Sequence, residues 1–156
     1  MDKQHRVITN EYIRGLTDGE GTFTFHRGFK LKSGEKPKIP AFVISMHERD
    51  IELLKKVKNH LGLKSNINTF GPYNYDNYQR GKKAIFAVRD FGSIKNKIVP
   101  LFYKKLIGYK AVQFENWVLN FEVDPLVSKK YGLISRLYKA GYWDHKVNYI
   151  HKELFE

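Results

Sequence analysis

The sequence predicts an α+β fold: antiparallel hairpins alternate with helices in the order αββαββα, with further helix at the end. Three observations lead there. Apolar residues recur at helical spacing near residues 10–20 and 48–61, they alternate at every second position over 22–32, and glycines stand where one period gives way to the other. No repeat, low-complexity tract or Ser/Gly linker divides the 156 residues, so one domain over 1–156 is expected.

Each element has its own local reason. Thr9 or Asn10 can cap a first helix whose apolar Tyr12, Ile13 and Leu16 lead to a stop at Gly21. Over 22–32 the odd positions Phe23, Phe25, Phe29 and Leu31 are apolar and the even positions Thr24, His26, Lys30 and Lys32 are polar, with Arg27 breaking the odd series. That is a strand with one buried face. Residues 32–40, KSGEKPKIP, read as a hairpin tip and 39–45 as the returning strand. A helix over about 48–61 follows, with Ile51, Leu54, Val57 and Leu61 on one side and Gly62 to end it. A second strand pair, 65–70 and 82–89, is joined by the polar, tyrosine-rich GPYNYDNYQRG. Helix is expected from 93 to 121, interrupted near Pro100 and Gly108, and again from 129 to 154.

Composition narrows the function classes. With no cysteine, neither a disulfide framework nor a thiolate zinc site can form, and an intracellular protein is the natural expectation. MDKQHRVITN has no apolar h-region and no later segment is apolar enough to span a bilayer, so a soluble chain without membrane association is expected. A net charge of +12 draws polyanions at long range, which makes nucleic acid the default partner. Aromatic residues make up 15% of the chain, and most lie on apolar periodicities, so they belong to the core. Tyr73, Tyr75 and Tyr78, in the polar connection, are the exceptions.

The stretch RGLTDGEGTFTF, residues 14–25, sets carboxylates and glycines between the apolar run and the alternation. A calcium-binding loop aligned on Gly21 would use Asp18 and Glu20, but its first ligand would be Leu16 and its bidentate clamp Arg27, a cation. Instead IRGLTDGEG, residues 13–21, resembles the motif of the LAGLIDADG homing endonucleases: Gly15, Leu16, Asp18 and Gly21 match, and Glu20 stands at the acidic position. FVIS at 42–45, PLFYKKLIGYKAVQFENW at 100–117 and the element order extend the resemblance over nearly the whole chain.

The resemblance implies an αββαββα LAGLIDADG fold whose antiparallel sheet forms a DNA-binding saddle, with helices on the other side and an extra C-terminal helix. It implies an intron-encoded type of enzyme, a Mg²⁺-dependent endonuclease that breaks both strands of a long, nearly palindromic DNA site. Members with a single motif are homodimers, which puts Ile13, Gly15, Leu16 and Gly19 at the dimer interface, since small residues four apart let two helices approach. Glu20 is then the metal ligand and catalytic acid position, hard oxygen being what Mg²⁺ takes. Asp18 matches a position that does not ordinarily carry the metal. Lys110, in LIGYK, falls where the family has a basic residue near the catalytic water, and His47 follows Met46, which replaces a common glutamine. Related proteins of this fold also serve as maturases on intron RNA or as DNA-binding regulators that do not cut.

A two-stranded ribbon fits the major groove. Thr24, His26, Lys30 and Lys32 are therefore the expected DNA-binding face, extended by Asn66 and Asn68 and by Arg80, Lys82 and Lys83. One rival chemistry is the acid-x-Lys pair Asp144 and Lys146, with Asp124 upstream, of the PD-(D/E)xK nucleases. That pair belongs on a strand, and this segment reads as helix.

Overall fold

The computed structural model describes residues 6–75 and 78–144, without the side chains of 73–80. The readings made of Tyr73, Tyr75, Tyr78 and the Arg80 side chain, of Lys146 and of helix beyond 144 lie outside the described residues. Helix α1 (Asn10–Glu20) runs without a loop into β1 (Gly21–Arg27), which turns back as β2 (Lys38–His47). A short 3-10 turn, Glu48–Asp50, leads into α2 (Ile51–Leu61), followed by β3 (Ile67–Phe70), a small hairpin of β4 (Tyr73–Tyr75) and β5 (Tyr78–Arg80), and β6 (Lys83–Val88). The remaining described elements are α3 (Phe91–Ser93), a π turn over Ile94–Ile98, α4 (Val99–Phe102), α5 (Lys110–Val123) and, after a 3-10 turn over Lys129–Tyr131, α6 (Gly132–Lys139). The main sheet has the order β1-β2-β6-β3 and is antiparallel throughout.

The expected element order is therefore present, and the local signals explain most of it. Thr9 caps α1 by accepting a hydrogen bond from Tyr12 N at 3.1 Å. Gly62 ends α2 in the left-handed region at φ 65°, a conformation glycine adopts without steric cost. Phe23, Phe42, Ile44, Phe86 and Val88 bury one face of the sheet against Leu54 and Val57 of α2, the 94–103 segment, and Phe114 and Trp117 of α5. Phe23 has ring contacts with Phe42, Phe102, Phe114 and Trp117 at centroid separations of 5.0–5.4 Å. The aromatic periodicities thus read correctly as core.

Strand β1 lies at the sheet edge, where unpaired backbone groups would invite pairing with another chain. Helix α5 covers that edge: Phe23 N donates to Gln113 Oε1 at 3.0 Å and Trp117 Nε1 donates to Thr24 O at 2.8 Å. Among the described residues no helix is long and apolar enough to cross a membrane.

Several expectations need correction. The first strand ends at Arg27, not at residue 32, because the chain leaves the ladder at Gly28. A Cβ there would meet Pro37 Cγ at 2.8 Å, and Gly28 N donates to Pro37 O, closing a long loop. Phe29 and Leu31, expected on the buried face, are 95% and 55% exposed, so their alternation reflects a loop and not a pleat. Ile13, expected at a helix–helix interface, is fully buried in the protomer's own core, where the opposite side of α1 faces the sheet. The polar connection after β3 is itself built as the β4–β5 hairpin. In the 93–121 region the break spans 103–109, and α5 begins cleanly at Lys110.

The junction of α1 and β1 depends on Gly21. A Cβ at this position would lie 2.6 Å from Thr17 Cγ2 and 3.0 Å from the Thr17 backbone. Gly21→Ala is expected to lower stability by about 1–3 kcal/mol through this overlap, measured by urea unfolding. Thr17 itself is fully buried and its Oγ1 has no hydrogen-bond partner. Thr17→Val removes that unsatisfied hydroxyl while keeping the shape, and is expected to raise stability by about 1 kcal/mol in the same assay.

Candidate active site

Glu20 is the last residue of α1, and the immediate turn into β1 leaves its side chain at the rim of the sheet's open face. It is exposed and, among the described residues, has no hydrogen bond or ion pair. It lines a hollow together with Ser45, Met46 and His47 from the end of β2, Arg49 and Asp50 from the turn after it, and Lys83 from the start of β6. The register explains the gathering: Gly21 pairs with Ile44, and His47 pairs with Lys83, so the foot of α1 and these strand ends meet at one edge.

His47 is held from two sides. Its Nδ1 accepts a hydrogen bond from Arg49 N at 3.1 Å, capping the short turn that carries Arg49 and Asp50. Gly81 leaves the space that its ring occupies, since a Cβ there would run into Nε2. With Nδ1 accepting, the neutral ring carries its proton on Nε2 and offers a donor. Met46 packs against the core while lining the hollow, and supplies no polar atom beyond its thioether.

Asp18, two residues before Glu20, is fully engaged with the backbone. Its Oδ2 accepts from Ile107 N at 3.1 Å and its Oδ1 from Gly108 N at 3.0 Å. This carboxylate fastens the loop ahead of α5 to the foot of α1, and Lys110 opens α5 two residues later. Lys110 is half-buried, and does not line the hollow that holds Glu20. The structure brings Glu20 and His47 together in one hollow; Lys110 stands apart, at the start of a helix tethered to the same helix end.

One functional candidate escaped the sequence reading, and a second stands closer to Glu20 than expected. Asp50, half-buried at the start of α2 with no capping hydrogen bond from its side chain, adds a second carboxylate to the hollow. Lys83, expected to face DNA at large, lies beside Glu20 itself. For Asp50 the signal was the helix start directly after FVISMH, which forces the residues of the turn back over the strand end, whereas Lys83 arrives by pairing with His47 across the β2–β6 ladder.

The donor chemistry suits a hard cation. Glu20 is an unpaired carboxylate and Asp50 a second one in the same hollow, both oxygen donors of the kind Mg²⁺ and Ca²⁺ take. Among the described residues no three His, Cys, Asp or Glu side chains are placed to hold a metal ion together.

The rest of the open face is less regular than a single strand would make it. Thr24 and His26 lie on β1, and Asn68 lies on β3 opposite Ile85. Lys30 and Lys32, expected on the strand, are exposed in the loop beyond it. Asn66 precedes β3, and Lys82 precedes β6, while Arg80 belongs to β5. Asn66, Asn68 and Arg89 line a notch at the far end of the face from Glu20. Burial, and then the nearby Arg89 charge, hold the His26 imidazole below its ordinary pKa, which keeps it neutral at pH 7. The rival acids are separated: Asp124 pairs with Lys38 at 2.8 Å, whereas Asp144 accepts from Tyr103 Oη and Lys104 Nζ at 2.9 Å.

The sequence matches the LAGLIDADG endonuclease family over residues 13–121, and the chain belongs to that family. Similar solved structures include the meganuclease I-SmaMI bound to uncleaveable DNA, 23% identical with a TM-score of 0.62 over 90% of this chain and 46% of that one. I-SmaMI bound to an uncleaved DNA target in the presence of calcium ions is 22% identical, with a TM-score of 0.61 over 85% and 44% of the two chains. The homing endonuclease I-TnaI is 25% identical, with a TM-score of 0.59 over 90% of each. This chain thus spans about half the length of the I-SmaMI structures it matches, and nine-tenths of I-TnaI.

Asp18→Ala leaves the Ile107 and Gly108 amides without their acceptor. Hydrogen exchange at these amides is expected to speed up severalfold, with a loss of about 1 kcal/mol in global stability.

Proposed function

We propose that the chain is a homodimeric, Mg²⁺-dependent DNA endonuclease that hydrolyses both strands of a long, nearly palindromic duplex site. The observation that carries this reading is the unpaired Glu20 carboxylate at the foot of a helix with an open glycine face. Gly15 and Gly19 are exposed, and a Cβ at either would meet nothing within 4 Å. Tyr12 is 49% exposed on the same side, and Leu16, half-buried, borders it. A second copy of α1 crossing there brings its own Glu20 to the same edge. Membership of an endonuclease family supports the chemistry, and the twofold length of I-SmaMI leaves room in that chain for two units of this size.

Phosphodiester hydrolysis needs a water aimed in line with the leaving 3′ oxygen and neutralisation of the charge that develops. Glu20 from each protomer, with Asp50 behind it, would hold Mg²⁺, which supplies Lewis-acid activation of water and of the scissile phosphate. His47, donating from Nε2, orients a water or a phosphate oxygen, and Lys83 neutralises phosphate charge at the rim of the hollow. Lys110, at the start of the helix that the Asp18 tether holds to the foot of α1, serves the charge on the leaving side once a duplex lies across the site. Thr24, His26 and Asn68, with Lys30, Lys32, Asn66 and Lys82 at the margins, contact the duplex along the sheet. Strand β1, with seven residues, covers about 23 Å, or about seven base-pair steps in each protomer.

The test is a randomised duplex library incubated with Mg²⁺, with Ca²⁺ or with neither, reading retained duplexes and cut ends. Cuts at one long, nearly palindromic site with Mg²⁺ are expected, and none after chelation. Glu20→Gln is expected to reduce cutting to background while keeping duplex retention; undiminished cutting by that variant contradicts the assignment. Retention without cuts by the wild-type chain points to a regulator of the same fold, and selection of intron RNA to a maturase.

A further inference from the structure

The open face of the sheet is not uniformly polar. Val43 pairs with Thr22 on one side and Ala87 on the other, and Ile85 pairs with Ser45 and Asn68. Residues paired across a ladder share a face, so Thr22, Val43 and Ala87 form one row and Ser45, Ile85 and Asn68 the next. Val43, Ile85 and Ala87 are half-exposed, and none of them belongs to the core or packs against it. The protomer leaves an apolar strip in the middle of this face. At one end lies the hollow with Glu20 and Lys83, and at the other the notch with Asn66, Asn68 and Arg89.

We infer that this strip reads thymine 5-methyl groups in the major groove. The inference rests on the duplex-binding reading above, and specifies what that duplex contains. Charge selects the occupant: the chain carries +12, and cationic side chains stand at both ends of the strip, Arg49 and Lys83 beside Glu20 and Asp50 at one and Arg89 beside Asp90 at the other, so the excess over the whole face is basic. An apolar protein surface would leave Lys83 and Arg89 unmatched, whereas a duplex places phosphates over the ends and base edges over the middle.

Among base edges in the major groove, the thymine methyl is the apolar one. Cytosine N4 or adenine N6 set against Val43 or Ile85 would lose a water partner and gain none, which costs binding. The two rows are two residues apart along β2, about 6.6 Å, close to two base-pair steps of about 3.4 Å each. The strip therefore selects methyl-bearing pyrimidines about two steps apart, between the cleavage end and the distal notch.

The test starts from the duplex most strongly retained from a random library with Ca²⁺. Each thymidine is replaced in turn by deoxyuridine, which removes one methyl and keeps every hydrogen bond. Affinity is expected to fall about fourfold, the worth of about 0.8 kcal/mol per methyl group, at thymines about two steps apart in each half-site. Ile85→Ala and Val43→Ala are each expected to abolish the difference at one of these positions and to leave the other unchanged. Both variants should keep the wild-type thermal midpoint, because neither side chain contributes to the core. Equal affinity for the thymidine and deoxyuridine duplexes, or retained sites without thymine at these positions, overturns the inference and leaves duplex binding standing. A library from which no duplex is retained overturns the duplex-binding reading, and this one with it.

Discussion

The close contact between Thr17 and Gly21 is the constraint on which the rest depends. It lets α1 pass into β1 without a connecting residue, so that the last residue of the helix, Glu20, is also the residue before the sheet begins. A loop at this point would let the acid swing. The direct junction instead fixes its position against Ser45, Met46 and His47 through the β1–β2 register. Asp18, two residues earlier, uses both oxygens to bind the loop before α5 to this same helix end. One short segment therefore determines where an acid, a histidine and the start of a lysine-bearing helix stand relative to one another.

The glycines of α1 have a different logic. Gly15 and Gly19 are exposed within the helix, where each costs about 1 kcal/mol relative to alanine. Among the described residues nothing beyond the helix itself meets a Cβ at either site, so the cost has no visible return there. Close approach by another helix backbone supplies one, and this is why the proposed dimer passes through α1. The two sides of that helix are thus divided: Ile13 and Thr17 face the core, and Tyr12, Gly15 and Gly19 face outward. The sheet is divided in the same way, with phenylalanines beneath and threonine, histidine, asparagine and a narrow apolar strip above.

Much of this was legible in the sequence wherever a period and a stop signal agreed. Thr9, Gly21 and Gly62 bounded α1 and α2, and the alternation from Phe23 to His26 defined β1. The same alternation misled beyond Gly28, because Phe29 and Leu31 keep the pattern of a strand while the backbone has already turned away toward Pro37. Ile13 was misplaced for a related reason: its position in a motif says that the helix is an interface and does not say which side of the helix each residue takes. The Glu20 hollow was half visible, since the acid and His47 carry chemistry in the sequence. Asp50 comes to it from the turn directly after β2, while Lys83 joins it through the β2–β6 register, a long-range relation that no local pattern encodes. The apolar strip was hidden for the same reason, as Val43, Ile85 and Ala87 are neighbours in space alone.

The central claim is that two copies meet at the open glycine face and thereby pair their Glu20 carboxylates. The most direct measurement is the solution mass, by light scattering, of the wild-type chain and of Gly15→Leu, each with an unchanged far-ultraviolet spectrum. Among the described residues nothing outside the helix's own backbone lies within 4 Å of a Cβ at this site, so the leucine starts into open space. The account predicts a mass of two chains for the wild type and of one chain for the variant. A wild-type mass of one chain, or a variant that remains paired, would contradict it.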